Sequence, residues 1–191
     1  MKKEYQKMII VTAPSGAGKT SITRHLLKVF PQLVFSISAT TRTKRANEKN
    51  GGDYYFMTVE EFQQRIKNEE FVEWEMVYEG KYYGTLKSEL KRIWKNDQVP
   101  VLDIDVQGAI HVQQEYPVNS LFIFIQPPSI EELKKRLQER GSETQESLEA
   151  RINKSAYELS FKKHFENVIV NNDLSIASAE AEQLICNFLN N

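Results

Sequence analysis

The sequence lacks most features that would commit it to a membrane, an oxidising compartment or a polyanion. It has a single cysteine, Cys186, so no internal disulfide can form and a reducing compartment suits it. Cys186 falls in an apolar C-terminal helix pattern and reads as a buried core thiol. No apolar run approaches the roughly 20 residues that a membrane span needs. Met1-Lys2-Lys3 followed by Met8-Ile9-Ile10-Val11 has the order of a secretory leader, but its apolar part is too short and runs straight into a glycine-bearing loop. The expected setting is cytoplasmic, with no membrane partner. A net charge of −1 leaves no basic field to attract nucleic acid. Internal repeats and low-complexity tracts are missing too, which excludes solenoids and linker-rich arrays. What is left is an ordinary globular composition, 40% hydrophobic and 27% charged, in 191 residues. That length suits one domain with insertions around a sizeable core.

What is present begins at Ile9-Ile10-Val11-Thr12-Ala13-Pro14-Ser15-Gly16-Ala17-Gly18-Lys19-Thr20-Ser21. An apolar strand, a tight turn and an amphipathic helix follow one another in the order of a P-loop, G-x-x-x-x-G-K-[ST]. Small residues let successive backbone N–H groups point at phosphate oxygens, and the helix start adds free donors and partial positive charge. Lys19 is placed to reach the outer phosphates, and the Thr20 hydroxyl to ligate magnesium. The first glycine of the strict pattern is Ala13 here. A glycine-rich connection with an incidental lysine is the plainer alternative, and the helix starting at the right place argues against it.

Further along, five apolar strands near 8–12, 33–38, 99–104, 121–126 and 167–170 alternate with helical patterns, which predicts a parallel α/β sheet. Ligands bind beyond the strand carboxyl ends of such sheets. The loop, Ser38, Asp103, Asp105, Pro127-Pro128 and Asn171 all fall there. Asp103 and Asp105 are expected on one face of their strand. Between about 40 and 84 the pattern turns antiparallel in flavour, with a strand over 53–57, a Thr58-x-x-Glu61 capping box and the alternating run Phe71 to Val77. In that run Val72, Trp74 and Met76 share one face, and Glu73 and Glu75 the other.

A P-loop alone leaves kinase, ATPase and GTPase open. No Asn-Lys-x-Asp occurs, which a switch GTPase needs to read its base, and motors and helicases are usually longer. A small kinase needs an acceptor site and a closing lid. Arg136 and Arg140, four apart on one helix face, and Arg151 beyond Gly141 can converge on a transferring phosphoryl group. Equally, Arg136 can pair with Glu132, and Arg140 with Glu139 or Glu143. Arg42, Arg45, Tyr54 and Tyr83 suit a monophosphate dianion, since arginine forks match phosphate. Glu73 could accept both N–H donors of a guanine edge, with a hydroxyl from Ser38 or Thr85 on its O6; a solvated glutamate on a polar strand face is the plain alternative.

Several stretches together resemble guanylate kinases. They are Ser36 to Arg45; Glu48-x-x-Gly51-x-Asp53-Tyr54-x-Phe56; Glu70 to Trp74; Tyr82-Tyr83-Gly84-Thr85; Leu102 to Gly108; Pro127-Pro128-Ser129; Arg140-Gly141; and Val168 to Asp173. The likeness covers almost the whole chain in order. It implies a three-layer P-loop kinase with a five-stranded parallel core, an inserted mixed α+β region that binds GMP, and a helical lid. The implied division is 1–37, 89–128 and 157–191 for the core, 38–88 for the insertion and 129–156 for the lid. The implied reaction is ATP + GMP giving ADP + GDP with Mg2+, dGMP also accepted. Carried over by position, Ser38, Glu73, Thr85 and Asp105 would serve the guanine. Arg42, Arg45, Tyr54 and Tyr83 would hold the GMP phosphate, with Glu48 supporting the basic loop. Lys19, Arg136, Arg140 and Arg151 would act on the donor phosphates, and Asn171 would lie near the adenine. Asp103 resembles a Walker B acid, which implies contact with magnesium through water. Two alternatives stay beside this: a non-catalytic protein-binding module of guanylate-kinase type, which typically loses the loop lysine or lid arginines, and a P-loop kinase for another nucleotide.

Overall fold

A computed structural model describes residues 6–139 and 145–190. Its centre is a five-stranded, wholly parallel sheet made of β1 (Met8–Thr12), β2 (Leu33–Phe35), β7 (Val99–Asp103), β8 (Ser120–Gln126) and β9 (Asn167–Val170). The spatial order is β2-β7-β1-β8-β9. Helices cover both faces: α1 (Lys19–Val29) and α7 (Leu174–Asn190) on one, α3 (Lys87–Trp94) and α4 (Val106–Glu115) on the other. Alternation along β1 sorts the core accordingly. Ile9 and Val11 pack with Ile22, Leu26, Ala177, Ala181 and Ile185, whereas Met8 and Ile10 pack with Leu90, Ala109 and Val112. A strand buried on both faces must be apolar throughout, which is why β1 and the middle of β8 read as unbroken hydrophobic runs.

The strand expected over 33–38 ends at Phe35, although the Ser36 amide still donates to the Val101 carbonyl. Asp105 is not a strand residue. It stands just past β7 as the N-cap of α4, accepting from the Gly108 amide at 2.9 Å, so its carboxylate is turned by the helix start instead of the strand pleat. Cys186 is exposed and not in the core. The buried stripe of α7 runs through Ala177, Ala181 and Ile185, and the next residue is rotated about 100° away from it.

A second sheet, ordered β4-β3-β6-β5, is made of β3 (Ala39–Thr40), β4 (Tyr55–Phe56), β5 (Phe71–Tyr78) and β6 (Lys81–Leu86). It is mixed: β3 pairs with β4 in parallel and with β6 antiparallel, and β5 pairs antiparallel with β6. The strand expected over 53–57 shrinks to Tyr55–Phe56. Helix α2 (Val59–Lys67) covers this sheet after Thr58 caps it, its hydroxyl accepting from Glu61 N at 3.1 Å. The fully buried Phe62 ring stacks on Phe71 at 4.3 Å, a contact that contributes about 2–3 kcal/mol through burial. Finally, α5 (Ile130–Glu139) and α6 (Gln145–Ser160) pack through Leu133, Leu137, Leu148 and Ile152. Among the described residues no helix is long and apolar enough to cross a membrane.

Candidate active site

The carboxyl ends of β1 and β7, the start of α1, the second sheet and one face of α6 enclose a cleft with two main compartments. The first, of about 310 Å³, is lined by Ala13, Pro14, Ser15, Gly16, Gly18, Lys19, Thr20 and Ser21, together with Asp105, Arg151, Lys154 and Glu158. Gly16 and Gly18 take positive φ values of 89° and 98°, which an L side chain rarely adopts. Ala13 is absent from the positive-φ residues, so the departure from the strict motif falls where no glycine is needed. Helix α1 begins at Gly18 with no side-chain cap, leaving its first amides for an anion. Ala17 is fully buried under the loop.

Lys19 Nζ lies 2.6 Å from Asp103 Oδ1 and 2.8 Å from the Ile104 carbonyl, bridging the loop to the end of β7. The oxygen set near Lys19 fits magnesium in its usual manner, one hydroxyl from Thr20, a nearby carboxylate at Asp103, and water or phosphate for the rest. No cluster of three His, Cys, Asp or Glu side chains that could cage a metal occurs among the described residues, and Mg2+ bound with a nucleotide needs none.

The second compartment, of about 190 Å³, is lined by Ser38, Tyr54, Glu73, Glu75, Val77, Tyr83, Gly84, Asp103, Ile104 and Asp105. Here β5 does not present a solvated polar face. Val72, expected to share the face of Trp74 and Met76, is buried in the core cluster of Leu90 and Ile104 where the β5–β6 register shifts between Phe71 and Glu73. Glu73 is only 4% exposed, while Trp74 and Met76 face outward at 37% and 51%. Glu73 Oε1 has no hydrogen-bond partner, and neither has the buried Thr85 hydroxyl on the strand position paired with it. Burial pushes the Glu73 carboxyl up to about 7; Thr85 opposes that shift and Asp105 adds to it. Gly108 makes room for the group, since a Cβ there would stand 2.8 Å from Glu73 Oε2. Tyr54 and Tyr83 meet edge to face at 6.1 Å.

Adjoining both compartments is a wider space of about 510 Å³ that shares Thr20 with the first and Ser38, Tyr54 and Asp103 with the second, and extends to Arg24, Phe35 and Glu48. Arg42 is held beside it by a two-pronged pair with Glu48 at 2.7 and 2.8 Å and lies over the Tyr54 and Phe56 rings. Glu48 also accepts from the Arg45 amide, and these donors, Arg42 foremost, pull its pKa down to about 2. Arg45 itself is exposed on the loop and borders neither compartment.

Two expected donor-side residues, Asn171 and Arg136, make other contacts. Asn171 is buried beneath the loop, its amide donating to the Ala17 carbonyl at 2.8 Å, so it braces the loop and does not line the pocket. Arg136 makes the alternative pair with Glu132 at 3.0 Å and also reaches the Asn171 carbonyl at 3.2 Å. Arg140 lies outside the described residues. Conversely, Lys154, Ser155 and Glu158 escaped the sequence reading. With Arg151 they occupy i, i+3, i+4 and i+7 of α6, a polar stripe that a check of helical spacing could have found. Ser155 donates to the Ser15 carbonyl at 3.3 Å, and Lys154 lies 3.8 Å from the largely buried Glu158. Burial raises the Glu158 pKa, with Lys154 opposing.

Comparisons with known proteins agree with this geometry. The guanylate kinase family model matches residues 5–187. The guanylate kinase of Bacteroides thetaiotaomicron is 47% identical over 190 residues, spanning 100% of this chain and 93% of that protein. That of Porphyromonas gingivalis is 45% identical over 184 residues, spanning 96% and 98%. The crystal structure of guanylate kinase from Anaplasma phagocytophilum superposes with a TM-score of 0.74 at 31% identity, over 95% of this chain and 85% of that one. With a loop built for phosphate, a sheet-borne pocket opposite it and likeness along nearly its full length, this chain belongs to the guanylate kinase family.

Proposed function

We propose that the chain transfers the γ-phosphoryl group of ATP to GMP, giving ADP and GDP, in cytoplasmic purine nucleotide metabolism, and that it accepts dGMP as well. The observation that carries this reading is Glu73, a buried carboxylate with an unpartnered oxygen, in a pocket facing the phosphate loop. An unpaired acceptor in that position is costly unless a ligand supplies donors. Guanine offers N1–H and N2–H side by side, which adenine does not. The Thr85 and Ser38 hydroxyls can donate to its O6, and Asp105 can accept from the base edge.

Tyr54, Tyr83 and Arg42 would hold the acceptor phosphate, with Glu48 keeping Arg42 in place, and Arg45 would join them only by swinging in from its exposed place on the loop. The uncapped start of α1 and the amides of the loop would hold the donor's phosphates. Lys19 would exchange Asp103 for a phosphate oxygen, and Arg151 would neutralise charge as it develops. Arg136 would join it only on leaving Glu132, and Arg140 is assigned to the same group by sequence position alone. Thr20, with Asp103 through water, would hold Mg2+, whose chemistry is to neutralise the phosphates it binds. Such transfer asks little covalent help of the protein, so alignment, charge stabilisation and exclusion of water do the catalysis. The insertion 38–88 and lid 129–156 are the parts proposed to close.

The test is ADP release from ATP and Mg2+ with GMP, dGMP, AMP, UMP, CMP or shikimate as acceptor. GMP is expected to exceed AMP by at least about 10²-fold in kcat/KM. Equal use of AMP and GMP would remove the guanine reading, and no turnover with any acceptor would favour the binding-module alternative.

A further inference from the structure

We infer that Glu89, on core helix α3 and outside the acceptor pocket, is a positioning residue that sets two walls of that pocket from behind. This inference rests on the acceptor role proposed above. The Glu89 side chain is completely buried, yet both oxygens are fully engaged. Oε1 accepts from the Ile37 amide at 3.0 Å and from Arg92 Nη2 at 2.8 Å. Oε2 accepts from the Tyr55 hydroxyl at 2.9 Å and from Arg92 Nε at 2.9 Å.

The partners give the arrangement its meaning. Ile37 immediately precedes Ser38, and Tyr55 immediately follows Tyr54; Ser38 and Tyr54 both line the acceptor pocket. The two segments are also joined to each other, because the Tyr55 amide donates to the Ser38 carbonyl at 2.9 Å. Arg92 comes from the same helix as Glu89 and supplies countercharge. One carboxylate on the core thus fixes where the chain enters the insertion and where β4 lies across it. A backbone one residue from a lining side chain moves that side chain with it. A fully buried carboxylate is a poor way to gain stability alone, because desolvation offsets its attraction to Arg92, and apolar packing would serve as well. What apolar packing cannot do is hold an amide and a phenol at fixed directions. The charge is also well kept: burial pushes the Glu89 carboxyl up, but Arg92, the Ile37 amide and Tyr55 outweigh it and hold it below the usual range.

The experiment is steady-state kinetics of wild type, Glu89→Gln and Tyr55→Phe, titrating GMP and ATP separately, with circular dichroism to confirm folding. In Glu89→Gln, KM for GMP is expected to rise about tenfold or more while KM for ATP stays within about twofold. Tyr55→Phe removes one contact without touching charge and is expected to give a smaller rise in the same direction. Equal rises for both substrates, or no rise for GMP in either variant, overturn the inference. Should Glu89→Gln fail to fold, Tyr55→Phe decides: a GMP-selective rise supports the role and its absence overturns it. Wild-type protein that turns over GMP without any split in the variants sinks this inference alone, whereas wild type inactive on GMP removes the acceptor reading with it.

Discussion

The two compartments of the cleft are built by opposite means. The side proposed for the donor is backbone: a loop with two left-handed glycines and an uncapped helix start, its lysine already paired with Asp103. The side proposed for the acceptor is side chain: a buried carboxylate with one unpartnered oxygen and a buried hydroxyl on a small mixed sheet. Backbone amides bind phosphate whatever base is attached, so such a site can be strong and unselective. Discrimination between bases requires polar atoms whose needs only one ligand meets, and those atoms weaken the free protein until it arrives. On the proposed reading, selectivity and stability are therefore opposed at Glu73 and nearly independent at the loop.

The sharpest way to break this contrast is Lys19→Ala, which should lower kcat by about 10²-fold or more while GMP affinity changes little. Single-turnover kinetics beside equilibrium GMP binding separate the two effects, and unchanged turnover would remove Lys19 from the chemistry. Next in size, Glu73→Gln should erode the GMP-to-AMP preference by about 10-fold or more, because an amide presents one acceptor and adds donors. The same variant should gain stability at alkaline pH. A folded pKa of about 7 lies above the ordinary glutamate value of 4.5, so the folded state binds the Glu73 proton more tightly than the unfolded one. The resulting stabilisation is complete below about pH 4 and disappears as pH rises through 7. Wild type should thus lose stability between pH 5 and 8 relative to Glu73→Gln, by roughly 1–3 kcal/mol, as urea unfolding at several pH values would read. A variant less stable than wild type at pH 8 would contradict the opposition. The smallest effect is expected of Lys154→Ala, a roughly three- to tenfold rise in KM for ATP with KM for GMP unchanged, since Lys154 borders only the donor side. A change in KM for GMP instead would show that the compartments are less separate than their linings suggest.

Local pattern carries the core well and the site less evenly. The five parallel strands are legible because burial on both faces forces uninterrupted apolar runs. The loop is legible because phosphate binding demands small residues before Lys19. Alternation also separates Glu73 and Glu75 from Trp74 and Met76, but periodicity cannot say which face turns inward. Only packing of β5 against α4 puts Glu73 inside, against the usual preference. Asp105 escapes the strand pattern because the following helix recruits it as a cap. Glu89 reads locally only as an i, i+3 pair with Arg92, since the Ile37 amide and Tyr55 hydroxyl it also binds lie 52 and 34 positions away. Asn171 is similar: its place in the sequence suggests the pocket rim, and only the fold shows it fastened under Ala17.

That fastening bears on how the protein is made. A Cβ at Gly18 would stand 2.1 Å from the Asn171 amide nitrogen, so loop and asparagine are fitted to one another across most of the chain. On the ribosome Ala17 is made 154 residues before Asn171, whose side chain braces its carbonyl. Contacts of such long sequence separation form late. A nascent or truncated chain ending before Asn171 thus carries the phosphate-binding motif in its letters and lacks the brace beneath it, so the loop gains that support only after Asn171 has been made.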